Sequence, residues 1–139
     1  WVWPLLVSFS GWSCHACTNL IVTRGASADN STIFSYTADS GNLYGTLVHY
    51  PARKHAPGTK RKVWDWDSGI YLGEIDEAAE TYNVVGNLNE HGLAIGETTF
   101  GGNETLTGGE GVLDYGTMIT VTLQRARTAR EAIRTIENL

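Results

Sequence analysis

The hydrophobic pattern of this chain changes period once, near residue 112, and that change limits the folds open to it more than any other feature. Before it, short apolar runs at 19–23, 33–37, 44–50, 63–66, 70–75, 83–88 and 93–100 are divided by clusters of Gly, Asn, Asp and Ser. Runs of that length and composition suit β-strands bounded by turns. After it, Met118, Val121 and Leu123, then Ala129, Ile133 and Ile136, recur at helical spacing. Two helices are predicted, over 114–125 and 129–138. Thr128 and Glu131 form a capping-box pattern at the start of the second. Strands first and helices afterwards describe an α+β chain, not an alternating βαβ one.

Three hairpins follow from the turn signals. The first joins 19–23 to 33–37 across a loop holding Gly25, Ser27, Asp29, Asn30 and Ser31. The second turns at Asp67-Ser68-Gly69, and the third at Asn89-Glu90-His91-Gly92. Residues 51–62 are basic and read as a loop turning at Pro57-Gly58. Residues 101–111 are glycine-rich and read as a surface loop.

Residues 1–16 carry no formal charge and are rich in Trp, Leu and Val. The run is shorter than the roughly 18–20 residues a membrane span needs, so no stable span is expected. It has the character of the hydrophobic part of a secretory signal, or of a propeptide, ending in the small residue Ala16. That places the protein in a secreted, periplasmic or lumenal compartment. The first residue is Trp and not Met, so residues preceding it in the gene product are expected. Hydrophobic residues make up 42% and charged residues 18%, a balance that favours a globular core over disorder. The net charge is −5, and Lys and Arg adjoin only at Arg53-Lys54 and Lys60-Arg61-Lys62. Nucleic acid is therefore not expected as a partner.

Cys17 is the residue with the most pointed chemistry. Cleavage after Ala16 would leave one residue bearing a thiol and a free α-amine, with ordinary pKa values of about 8.5 and about 7.7–8.0. Nucleophile and general base would then belong to one amino acid. The bland reading is an inert cysteine at the start of a strand. Cys14 and Cys17 also form Cys-x-x-Cys, but the apolar run after Cys17 reads as strand, where a redox motif opens a helix. His49, His55 and His91 are scattered without zinc-ligand spacing.

Asp39 closes the second run of the hairpin that Cys17 opens, so it returns toward the new N-terminus. A carboxylate there can orient the α-amine, or it can serve as a turn residue ahead of Gly41. Asn89 and Thr99 belong to a polar group with Asn87, Glu90 and Thr98 around the third hairpin, and are candidates for oxyanion or substrate contacts. Glu97 reads as a solvent-facing strand residue, with binding of a substrate ammonium group as the alternative. Gly101-Gly102 and Gly108-Gly109 lack the Lys-Ser/Thr ending of a phosphate loop. Asp65 and Asp67 do not complete a calcium loop. No metal or organic cofactor is expected. Asn30-Ser31-Thr32 and Asn103-Glu104-Thr105 fit the glycan acceptor pattern, which matters only in a eukaryotic secreted protein.

Several runs resemble a known family. These are Cys17-Thr18-Asn19-Leu20-Ile21-Val22, Gly25 to Thr32, Asp39-Ser40, Tyr44-Gly45-Thr46-Leu47 and Trp64-Asp65-Trp66-Asp67-Ser68-Gly69. Further on come Tyr82-Asn83-Val84-Val85-Gly86-Asn87-Leu88-Asn89-Glu90-His91 and Leu93-Ala94-Ile95-Gly96-Glu97-Thr98-Thr99-Phe100-Gly101-Gly102. Together they are similar to the cysteine dipeptidases of peptidase family C69, from Cys17 to the end of the chain. The resemblance implies the αββα sandwich of N-terminal nucleophile hydrolases, of which this chain would be an N-terminal part. It implies Cys17 as nucleophile, Asp39 as a functional residue and a dipeptide as substrate. Some relatives carry an arginine three residues before that aspartate, where this chain has Tyr36. Related amidases cut bile-salt or penicillin amides, and secernin-like relatives are non-enzymatic alternatives.

Overall fold

The computed structural model describes residues 16–39, 45–98, 102, 103, 105 and 111–139. Its described part is α+β, with antiparallel strands followed by two helices. The first hairpin pairs β1 (Ala16–Val22) with β2 (Ile33–Asp39) in unbroken register from Ala16 opposite Asp39 to Val22 opposite Ile33. Its loop is closed by Ser27, whose hydroxyl donates to the Ser31 carbonyl at 2.7 Å. No third strand among the described residues joins this pair.

The second feature is one long, interrupted antiparallel ribbon. Outward run β3 (His49–Tyr50), β4 (Arg53–Lys54) and β5 (Lys60–Trp64), and back run β6 (Tyr71–Asp76), β7 (Glu80–Thr81) and β8 (Val84–Val85). They pair as β5 with β6, β4 with β7 and β3 with β8. This corrects two expectations. The third run narrows to His49–Tyr50, with Leu47 exposed and Tyr44 outside the described residues. The basic loop is part of the ribbon, not a separate excursion.

The physical causes of the interruptions are local. Pro51 has no N–H to give the ladder, and the next N–H, of Ala52, donates to the side chain of Asn83 at 2.9 Å. Lys54 faces Glu80 and Lys60 faces Asp76, so six steps on one strand meet four on the other. The Pro57-Gly58 turn takes up the difference, with the Thr59 N–H donating to the Ala56 carbonyl. The basic strand is held by acids opposite it: Lys60 pairs with Asp76, and Arg61 with Glu77. Gly73 has φ +148 and sits under Val112, whose Cγ1 would lie 2.9 Å from a β-carbon there. A bare backbone at Gly73 lets the segment entering the first helix cross the ribbon closely.

The third hairpin gains an earlier turn ahead of the expected one at Asn89–Gly92. β8 pairs with β9 (Leu88–Asn89), so the turn lies at Gly86-Asn87. The Asn89–Gly92 segment is a second turn, closed by the Leu88–Ala94 bridge. Helix α1 (Tyr115–Arg125) is capped by Asp114, whose carboxylate accepts from the N–H groups of Gly116 and Thr117. Four successive residues, Val121 to Gln124, are buried, so α1 is enclosed on all sides there. Helix α2 (Ala129–Glu137) is capped by Thr128, which accepts from the Glu131 N–H. Glu131 reaches back one residue further than a standard box, accepting from the Arg127 N–H at 2.8 Å. The core joins Val84, Leu93, Leu123, Ala126 and Ala132, with Tyr50, Ile95 and Ile119 at its margin. Ile133 and Ile136, which helical spacing would send inward, remain exposed.

Candidate active site

Side chains alternate along a strand and directly opposed residues share a face. The register therefore puts Cys17, Asn19 and Ile21 on one face of the hairpin with Ala38, Tyr36 and Phe34. That face meets the segment 95–98, and Glu97 is the meeting point. The Cys17 thiol donates to Glu97 Oε1 at 3.2 Å, and the Tyr36 hydroxyl donates to the same oxygen at 2.7 Å. The Asn19 amide donates to the Glu97 backbone carbonyl at 2.7 Å. In return the Thr98 hydroxyl donates to the Cys17 carbonyl at 3.0 Å. Four hydrogen bonds thus clamp residues 61 to 81 positions apart.

Gly96 makes the clamp possible. A β-carbon there would lie 2.4 Å from Phe34 Cζ and 3.0 Å from Asn19 Oδ1, so any side chain at 96 would push the Phe34 ring out of its present place. Asn19 Oδ1 is buried and accepts no hydrogen bond from the described residues. Burial first, and then the hydrogen bond and charge of Glu97, push the Tyr36 hydroxyl well above the usual tyrosine range. Tyr36 therefore stays a neutral donor to the carboxylate. Tyr115, at the start of α1, is pushed up to about 12 by burial and by its bond to Asp67, with the Glu97 charge contributing. Among the described residues no cation pairs with Glu97. The cluster is one of acceptors and neutral donors around a half-buried carboxylate.

A groove of about 1300 Å³ begins at Tyr36 and Gly96 and runs to α2, with Phe34, Ile95, Ile133 and Ile136 on its walls. Cys17 and Glu97 lie at its head without lining it. Among the described residues no three His, Cys, Asp or Glu side chains converge as a metal set, and no helix is long and apolar enough to cross a membrane.

The expected site residues fall in different places. Cys17 sits in β1 at the clamp. Asp39 pairs with Ala16, so its backbone lies beside the Ala16–Cys17 peptide bond. Thr99 lies outside the described residues, as do residues 1–15, Cys14 among them, and Glu104 of the second glycan pattern. Asn89 requires a correction. It is buried, its amide donates to the carbonyls of Leu123 and Ala126 at 2.8 and 2.7 Å, and its oxygen accepts from the N–H groups of His91 and Leu93. Both amide hydrogens are spent on the end of α1, so none remains for an oxyanion. Glu97 also departs from expectation, since it faces the thiol and not solvent. The signal for it was Gly96, a residue without a side chain set beside a carboxylate in an apolar run.

The family model for peptidase family C69 matches residues 45–139. It begins after the Cys17 hairpin and includes Gly96, Glu97 and Thr98, the residues onto which that hairpin docks. No curated protein and no solved structure matches the chain.

Proposed function

The chain belongs to peptidase family C69, and on that premise we propose that it is a cysteine-type dipeptidase whose nucleophile is Cys17, armed when the Ala16–Cys17 bond is cut. The observation that carries this reading is the docking of the Cys17 hairpin onto residues 96–98 of the family-matched segment. A nucleophile needs a fixed position more than it needs any single neighbour. The bonds at Sγ and at the Cys17 carbonyl hold both ends of that residue.

In the proposed reaction the freed α-amine of Cys17 takes the thiol proton, directly or through a water. The sulfur attacks the peptide carbonyl, forming the S–C bond and a tetrahedral oxyanion. Backbone N–H groups or Thr99 stabilise that oxyanion, and Asp39 orients the α-ammonium from beside the cut bond. The C–N bond then breaks as the ammonium returns its proton to the leaving amine. Water attacks the thioester, with the amine again acting as base, and releases the acid. The complete chain would form the αββα sandwich of N-terminal nucleophile hydrolases. The leader of residues 1–16 would route it to a secreted, periplasmic or lumenal compartment.

The test is the N-terminal residue of the protein purified from its native host, followed by dipeptide assays with Cys17→Ser. A chain that begins at Cys17, cleaves dipeptides and is silenced by the substitution is the expected result. A chain that retains Ala16 has a blocked amine and sinks the mechanism.

A further inference from the structure

We infer that Glu97 is the specificity-determining residue of this site, binding the α-ammonium of the substrate and so selecting peptides with a free N-terminus over N-acylated amides. This rests on Cys17 as the nucleophile and goes on to name the substrate class. Three observations carry it. Glu97 Oε1 lies 3.2 Å from Cys17 Sγ. The carboxylate is half-buried, and among the described residues it has two neutral donors and no cation. Its backbone is pinned by Asn19, so the charge is held in place at the nucleophile.

The geometry of an amino acid does the rest. In an α-aminoacyl group the nitrogen and the carbonyl carbon are separated by one carbon, a span of roughly 2.5 Å. A carbonyl carbon about 3–3.5 Å from the sulfur is in position for attack. Its α-ammonium then falls within reach of an acceptor one hydrogen bond from that sulfur. Paired charge-assisted bonds run to about 2.7–2.9 Å, which the 3.2 Å separation of sulfur and oxygen accommodates. An N-acyl group puts a neutral amide and added bulk at the same point and leaves the carboxylate without a cation. Related sites for acyl amides would need no such charge.

The pairing also favours the reaction, not only binding. Loss of the thiol proton builds negative charge on the sulfur beside Glu97, and attack passes that charge to the carbonyl oxygen. A bound ammonium neutralises that carboxylate as the charge develops. When the ammonium takes Oε1, the thiol hydrogen is released from Glu97 and turns to the α-amine of Cys17, which accepts it. No other reactant enters the step.

The experiment compares alanyl-alanine with N-acetyl-alanyl-alanine on the natively processed full-length protein. The wild type should prefer the free dipeptide by about 100-fold or more in kcat/KM. Glu97→Gln keeps an oxygen that can accept from Cys17 and Tyr36 but removes the charge. It should lose about 100-fold on the free dipeptide and far less on the N-acetyl substrate, so the preference collapses. Tyr36→Phe keeps the charge and should keep the preference, which separates selectivity from packing. An equal fall on both substrates in Glu97→Gln, or an unaltered preference, overturns the inference and leaves Cys17 as nucleophile. Hydrolysis that survives Cys17→Ala, or no hydrolysis by the wild type, overturns the dipeptidase reading and the inference together.

Discussion

At the scale of single residues, burial decides what a charged group can do. Glu77 shows this most clearly. Its side chain is 6% exposed, and burial alone would raise its pKa. The hydrogen bond and charge of Arg61, the Ala78 N–H and the charge of Arg125 outweigh that, and the net shift is downward from 4.5. A carboxyl with a lowered folded pKa contributes stability that is fully present above its unfolded value. That stability is lost as pH falls through the lower folded value. Melting temperature should therefore drop on acidification below about pH 4.5, and Glu77→Gln should flatten this part of the curve. Glu77→Ala at neutral pH should cost about 3 kcal/mol in chemical denaturation, because it leaves two largely buried guanidinium groups without their carboxylate and with only neutral acceptors. A variant that melts like the wild type across this range would show that the Arg61–Glu77–Arg125 group contributes nothing. Glu97 sits in the opposite situation, half-buried with donors and, among the described residues, no cation, as the ammonium-binding role proposed for it requires.

Among the elements, the turn after β9 and the end of α1 depend on one amide. Asn89 satisfies two carbonyls of α1's last turn and two N–H groups of its own turn. Asn89→Ala would leave four backbone groups without that partner. At about 1–3 kcal/mol for a buried group left unsatisfied, and with water reaching some of them, about 3 kcal/mol of stability should be lost. Urea denaturation followed by circular dichroism measures it, and a loss below about 1 kcal/mol would mean the helix end is secured elsewhere. The same elements show what could be read in advance. The β1–β2 hairpin, the α+β order and both helices were legible, because turn clusters and a shift to helical spacing are local signals. The ribbon from β3 to β8 was less so. Its basic strand is polar throughout, and only the acids across the ladder explain its place.

For the whole molecule, the balance of apolar surface is the controlling fact. Val84, Leu93, Leu123, Ala126 and Ala132 make a small core, while Leu20, Ile21, Ile33, Leu47, Ile70 and Leu72 are exposed. Both outer edges of the β1–β2 pair lack a strand neighbour among the described residues. Apolar faces and open edges of this kind promote association. These 139 residues alone should therefore self-associate at micromolar concentration in light scattering. A monomeric sample with one cooperative melting transition would contradict that expectation. The amino-acid sequence by itself determined the element types, the hairpin turn after Val22, the cap at Thr128, and the singular position of Cys17. Each of these follows from neighbours within a few residues. Only the tertiary structure decided that Glu97 faces the thiol and that Asn89 is consumed by a helix end. Those outcomes depend on groups thirty to eighty positions away, which strand register and chain packing bring together; Gly96 hints locally at a close approach but not at what approaches.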